Sequence, residues 1–396
     1  MRIGIITFWE SNDNYGQQLQ CWALQEYLRR RGHKPFLIRT YAYPKPQERR
    51  FLQRIKVSIK SRLVEFLFCT SLAYKPSLPV RLKYLLNIDA IRRRFPQFRR
   101  DNLAMSRIYA APADLVNHPP KADVYITGSD QVWNYDLPHD VYALSFLRFG
   151  SELVKRISYA PSVGHAGLPE NIKAQVKEYL KSFSAISVRE QSAVKLFADL
   201  GYSVEQVLDP SMLLNSNDYL RLAKDAKSVP NVFIYSMNYA TVEDLPFAAI
   251  KTYARQKHLP IIVTPGSGYL PAKELFEGVE YSYSTIPQWI QHIAYSELVV
   301  TASFHGIVFA ILLHRPFWYT PLKGKYSEGN QRVFDLLKEL GLMDRIWYES
   351  QACEDFIERP IDWIGVDENL CRLRKESIYF LQSALDNAKK DNLCAN

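Results

Sequence analysis

Four short stretches carry side chains whose types and spacing suit chemistry on an anionic or hydroxyl-rich ligand. TASFHG at 301–306 holds His305. An imidazole exchanges protons near neutral pH, so it can act as a general acid or steady a departing anion. Ser303, Phe304 and Gly306 surround it at what reads as a helix start, where backbone N–H groups favour negative charge and a glycine permits close approach. SVREQSA at 187–193 holds Arg189, whose planar guanidinium binds phosphate or carboxylate bidentately. TGSDQVWN at 127–134 holds Asp130, a candidate general base, with Gln131, Asn134 and Trp133, the last a flat surface on which a sugar could stack. WESNDNYGQQ at 9–18 offers Asn14, Tyr15 and Gln18 as hydrogen-bonding groups for hydroxyls. Each has an ordinary structural alternative: His305 as a satisfied core histidine, Asp130 as a helix cap, Arg189 in a salt bridge to Glu190.

These residues sit where strands give way to loops or helices. RIGIITF at 2–8 is a continuous apolar run and predicts a buried first strand of a parallel sheet. A helix over 17–31 follows, with Leu19, Trp22, Ala23 and Tyr27 as its apolar stripe, then a strand over 36–38. The loop between lacks G-x-G-x-x-G, so this β-loop-α-β order predicts no dinucleotide. Further strands are expected over 122–127, 156–160, 185–188 and 204–207. A second series begins near 232, with strands over 232–235, 261–264, 279–281, 298–301 and 316–319, helices over 242–257 and from Thr285, and a buried helix from Gly306. The expected fold is α/β: two Rossmann-like domains, 1–215 and 216–366, with a basic insertion at about 45–110 and a terminal helix, 367–396, returning to the first domain.

Length favours two domains, because a single core stops growing well below 396 residues. The composition, 47% hydrophobic and 23% charged, is that of a globular chain, and no segment reaches the roughly 18 uninterrupted apolar residues of a membrane span. The start lacks the layout of a signal peptide, so a cytoplasmic location is expected. Five scattered cysteines form no C-x-x-C pair and read as free thiols. The net charge of +9 is uneven: residues 49–107 hold 15 Lys and Arg against Glu65, Asp89 and Asp101. No zinc-finger, RNP or helix-turn-helix signature accompanies this region, so nucleic acid is not expected as a partner. FLQRIKVSIKSRLVEFLF at 51–68 alternates apolar and basic positions at helical spacing, as a helix lying on anionic lipid would, or as an ordinary helix with a solvated basic face.

Taken in order, NYGQQLQ (14–20), ITGSDQVWN (126–134), SYAPSVG (158–164), SVREQSA (187–193), LDPSMLL (208–214) and TASFHG (301–306) resemble the motifs of the polysaccharide pyruvyl transferases. The resemblance implies a GT-B-like fold, two Rossmann-like domains facing across a cleft. It also implies transfer of the enolpyruvyl skeleton of phosphoenolpyruvate onto a sugar, forming a ketal and releasing phosphate, without metal or organic cofactor. The absence of an Asp-x-Asp pair agrees with that. By the family's pattern Arg189 and His305 bind the donor, with Ser303, Phe304 and Gly306 beside them. Relatives often carry Arg or Ser two residues before that His; this chain has Ser303, so any contact that an Arg makes there must come from elsewhere. Asp130 is then the expected base, with Asn14, Tyr15, Gln18, Gln131, Trp133 and Asn134 on the acceptor side. The acceptor is expected to be a capsular or exopolysaccharide precursor linked to a polyprenyl diphosphate, met at the inner membrane face through the basic region 49–107. A nucleotide-sugar glycosyltransferase and a non-catalytic glycan- or membrane-binding module are the alternatives.

Overall fold

In the computed structural model the described residues are 1–40, 92–165, 167–239, 241–266, 274–348 and 359–394. The first strand, β1 (Arg2–Ile6), buries Ile3 through Ile6, as a strand covered on both faces must. It lies at the centre of a five-stranded sheet of order β3-β2-β1-β4-β5, with β2 (Lys34–Thr40), β3 (Met105–Tyr109), β4 (Val124–Thr127) and β5 (Lys155–Ser158). All neighbours are parallel, β1 setting Ile3 beside both Pro35 and Val124. The order reverses between β1 and β4, so the loops after these two strands lie side by side at the carboxyl edge, where such sheets bind ligands. Two short strands, β6 (Ser187–Val188) and β7 (Glu205–Gln206), pair with each other beyond β5.

The second unit repeats the plan. β8 (Asn231–Ser236) is buried throughout and is flanked by β9 (Ile261–Pro265) and β11 (Ser296–Thr301), in a parallel sheet of order β10-β9-β8-β11-β12 with β10 (Glu280–Tyr281) and β12 (Phe317–Tyr319) outermost. Its reversal falls between β8 and β11. The helix Ile286–Ala294 starts on a reciprocal cap, Thr285 with Gln288, and a proline in its first turn. The expected helix over 242–257 is divided: a 3-10 turn, Val242–Asp244, then Phe247–Gln256, with Pro246 between them.

The two units meet through the helices that follow β1 and β11. Tyr15–Arg30 begins where Asn14 Oδ1 accepts the N–H of Gln17, and Phe304–Leu312 is buried on every side. One apolar cluster runs from Leu19 and Ala23 to Ile307, Val308 and Ile311. The long helix Trp363–Cys394 ties the ends together. Near its start His314 of the second unit stacks on Trp363, and further along Ser377 Oγ accepts the N–H of Leu208 and Arg374 donates to the Met212 carbonyl. Asp391 then pairs with Lys155 of β5. Two α/β units facing across a cleft, with the terminal helix returning to the first, is the GT-B-like arrangement expected from sequence.

The basic region needs correction in the part that is described. Residues 92–107 supply a helix, Phe95–Asn102, and the edge strand β3. Arg93 and Arg99 are buried, Arg93 donating to the Tyr15 hydroxyl and Arg99 to the Ser11 carbonyl and Asn12 Oδ1. They brace the loop after β1 rather than face a membrane. The amphipathic stretch 51–68 lies outside the described residues. Among the described residues no helix is long and apolar enough to cross a membrane.

Candidate functional site

The turn after β11, the loops after β1 and β4 and the end of β6 close on one cleft between the units. Asn14, Asp130, Gln131, Arg189, Ser303, Phe304, His305 and Arg332 line it, around a space of about 590 Å³ that includes its open mouth. His305, Arg189, Asp130, Ser303 and Phe304 are therefore brought together with Asn14 and Gln131 from the first unit. The seam is tight. A Cβ on Gly16 would lie 2.1 Å from Nδ1 of His305, so only glycine lets the helix Tyr15–Arg30 pass this ring.

Behind Arg189 and His305, and not itself lining the cleft, lies a residue to which the sequence assigned no role, Asp209. It is buried, and its Oδ2 accepts from Ser129 Oγ at 2.8 Å and from Arg189 Nη1 at 3.1 Å, with His305 Nε2 at 3.5 Å. Oδ1 accepts the N–H of Ser211 at 2.9 Å, which fixes the carboxylate plane. Burial alone would raise its pKa. The charge and hydrogen bond of His305, then Arg189 and the Ser211 N–H, outweigh burial and hold it well below the usual carboxylate range. Arg189 also contacts Glu190 Oε1 at 3.3 Å, and its guanidinium lies 4.4 Å over the Phe304 ring. Burial works against its charge, and Glu190, Asp209 and Asp130 more than compensate, raising its pKa. The expected salt bridge to Glu190 thus exists alongside the ligand geometry. On these residues Arg189 Nη2 has no hydrogen-bond partner, and His305 Nε2 has only its long contact with Asp209 Oδ2. Buried polar atoms are seldom left so, and an anion in the cleft would satisfy them.

Ser303 caps its helix, Oγ accepting the Gly306 N–H at 3.3 Å, and this occupies one donor expected to serve a ligand. Gly306 is needed for packing: a Cβ there would lie 2.7 Å from a Thr301 methyl. Asp130 holds φ at 69°, a left-handed conformation that aspartate tolerates, and its Oδ1 accepts the N–H of Gln131 at 2.8 Å. It is thus a local cap that also faces the cleft.

Three acceptor-side expectations are overturned. Trp133 is fully buried, stacked on Phe146 at 4.7 Å with its N–H given to the Ser145 carbonyl, so neither face is open to a sugar. Tyr15 is buried between the units, stacked on Trp289 at 5.3 Å and donating to the Ser284 carbonyl at 2.7 Å. Gln18 is buried and spends its amide on the Trp9 and Ser11 carbonyls. Asn134 lines a neighbouring, mostly apolar cavity under β1 and β4, which shares Phe8, Gln17 and Gln131 with the cleft. Besides Asp209, the sequence reading missed His165. It contacts Asn134 Oδ1 at 3.0 Å and Asp136 Oδ2 at 3.2 Å within the first unit and Glu328 Oε2 at 2.8 Å in the second, a clasp across the cleft. Its place just after the SYAPSVG stretch was the available signal.

Solved structures similar to this chain include a UDP-GlcNAc 2-epimerase of Methanocaldococcus jannaschii in complex with UDP-GlcNAc and UDP. The two share 10% identity and a TM-score of 0.48 over 94% of this chain and 99% of that one. An alpha-glucosyltransferase in complex with UDP-glucose and DNA containing an abasic site shares 11% identity and a TM-score of 0.47 over 96% and 95%. No curated protein sequence matches the chain. The family model described as polysaccharide pyruvyl transferase matches residues 14–321, a span that begins at the Asn14 cap and runs past the His305 turn. The chain belongs to the polysaccharide pyruvyl transferase family.

Proposed function

We propose that this transferase moves the enolpyruvyl skeleton of phosphoenolpyruvate onto two hydroxyls of a sugar in a bacterial surface polysaccharide precursor. A cyclic pyruvate ketal forms and phosphate is released. The observation that carries this reading is the buried Arg189 donor without a hydrogen-bond partner, which lines with His305 a polar cleft that also holds a carboxylate, Asp130.

The chemistry is a sequence of proton transfers and one leaving group. Protonation of the donor's methylene carbon turns the adjoining carbon into an oxocarbenium-like electrophile. A sugar hydroxyl adds there and loses its proton. The bond to the phosphate oxygen then breaks with its electron pair, and a second hydroxyl adds to the same carbon, closes the ring and gives up its proton. His305 delivers the first proton and Asp130 takes that of the acceptor hydroxyl. Arg189 holds the anionic donor, and such prearranged charge is often the largest catalytic contribution. Asp209 positions His305 and Arg189 and does not touch the substrate. These steps call on no metal or organic cofactor. Asn14, Gln131 and Asn134 line the acceptor side, and the adjoining apolar cavity accommodates the less polar face of a sugar. The acceptor is assigned to the polyprenyl-diphosphate-linked class, met at the inner face of the cytoplasmic membrane; the charge of residues 49–91, nine Lys and Arg against Glu65 and Asp89, supports this.

The test is phosphate release from phosphoenolpyruvate across a panel of lipid-linked oligosaccharides. Acceptor-dependent release that His305→Ala lowers by at least about 100-fold is expected. The reading fails if no acceptor supports release, or if UDP-sugars stabilise the protein thermally and phosphoenolpyruvate does not.

A further inference from the structure

A second guanidinium enters the cleft from an element that no motif marks. Arg332 stands in the first turn of the helix Gln331–Glu339, and it lines the same cleft as Arg189, Ser303 and His305. Its Nε is buried without a hydrogen-bond partner. Among the described residues no carboxylate lies within the 4.0 Å of an ion pair with it. Asp335, one turn further along the same helix, is committed to Gln331 and to the N–H of Ser192.

The contrast with Arg189 is informative. Arg189 is already shared by Asp209 and Glu190, so much of its charge is spent inside the protein. Among the described residues Arg332 is the cation of the cleft without a carboxylate in ion-pair contact. Burial and the neighbouring Arg189 charge both act against it, and the carboxylates of Asp130 and Glu190 reach it only at longer range. A guanidinium stays charged under such pressure, and desolvating it without a counter-ion costs free energy. That arrangement persists where an anionic ligand supplies the missing partner. Ser303, two residues before His305, is an N-cap and brings no charge, so the helix Phe304–Leu312 leaves this side of the cleft to be filled from elsewhere.

We propose that Arg332 is the ligand of the donor's phosphate group, taking the dianion bidentately while Arg189 and His305 hold the rest of the molecule. The assignment rests on the donor reading given above, but the anion site it describes can be tested separately. The more highly charged end of the donor goes to this guanidinium, because Arg189 already has two carboxylate neighbours.

The experiment measures binding of three probes, inorganic phosphate, phosphoenolpyruvate and pyruvate, to the full chain and to Arg332→Gln, Arg332→Lys and Arg372→Gln, alongside kcat and KM for phosphate release. Arg332→Gln is expected to weaken phosphate and phosphoenolpyruvate binding by about 10- to 100-fold and to leave pyruvate binding within twofold. Arg332→Lys should fall between, and Arg372→Gln, in the cavity behind Phe304, should match the parent. Should the Gln variant not fold, the Lys variant carries the test, since it keeps the charge and loses the fork. Phosphate and phosphoenolpyruvate affinities unchanged in both Arg332 variants overturn the proposal. So does equal loss of pyruvate binding, which would place Arg332 on the carboxylate. Arg332-dependent phosphate binding in a protein that never turns over phosphoenolpyruvate would sink the donor reading and leave the anion site standing.

Discussion

Asp209 shows how one buried carboxylate can organise a site without touching a substrate. It accepts from a hydroxyl, a guanidinium and a backbone N–H and stands 3.5 Å from the imidazole. Removing its charge leaves Arg189 with Glu190 alone and His305 without its neighbour. Asp209→Asn is therefore expected to lower kcat by about 100-fold or more. It should also reduce stability by about 3 kcal/mol, because a buried pair loses one partner. Steady-state phosphate release and urea unfolding measure the two effects, and a variant with parental kcat would remove Asp209 from the site. At this scale the sequence was informative about type and silent about company. His305, Arg189 and Asp130 stood out by falling at the ends of strands. Asp209 precedes a proline and reads as a turn residue, and nothing local connects it to an imidazole 96 positions away. Trp133 and Tyr15 failed because packing claims both: Phe146 covers the Trp133 ring expected to stack on a sugar, and the Tyr15 hydroxyl expected to meet one is buried and given to the Ser284 carbonyl.

Elements decide what residues can meet. The strands with unbroken apolar runs, β1, β8 and β11, were legible because burial on both faces leaves a continuous signature. Edge strand β3 was not: its sequence, MSRIY, leaves Arg107 and Ile108 exposed, and only pairing with β2 makes it a strand. The terminal helix was legible as a helix, and its packing adds a consequence. It runs from His314 and Glu339 of the second unit to Lys155 of the first, burying Leu370, Phe380, Leu381 and Leu385. Leu381→Ala should cost about 2–5 kcal/mol of unfolding free energy by chemical denaturation. A loss under 1 kcal/mol would show that the helix adds little to the joined core.

Across the whole molecule, acid sensitivity follows from two buried groups with separate windows. His292, between Ser228 and Ser282 and stacked near Phe233, has its pKa lowered to about 4 by burial. The folded state then binds fewer protons than the unfolded chain between the ordinary 6.5 and about 4, so stability falls as pH drops through that range. Asp209 acts lower. Its depressed carboxyl stabilises the fold above the ordinary 3.8, and that contribution is lost only as pH falls below it. Melting temperatures from pH 7 to 4.5 should decline, and His292→Gln should flatten the decline; an equal slope in the variant would exclude this histidine as the cause.

The sequence by itself determined the two parallel α/β series, the family and the residue types at the strand ends, since apolar runs, loop positions and motif order are local properties of the chain. Only the tertiary structure decided that the helices carrying Gly16 and His305 pass each other at the seam, that Asp209 reaches Arg189 and His305, and that Arg332 reaches the cleft. It also decided that Trp133 and Tyr15 are core. Those outcomes depend on contacts between segments far apart in sequence, and burial, which fixes whether a charge or a ring is free, exists only once those segments have packed.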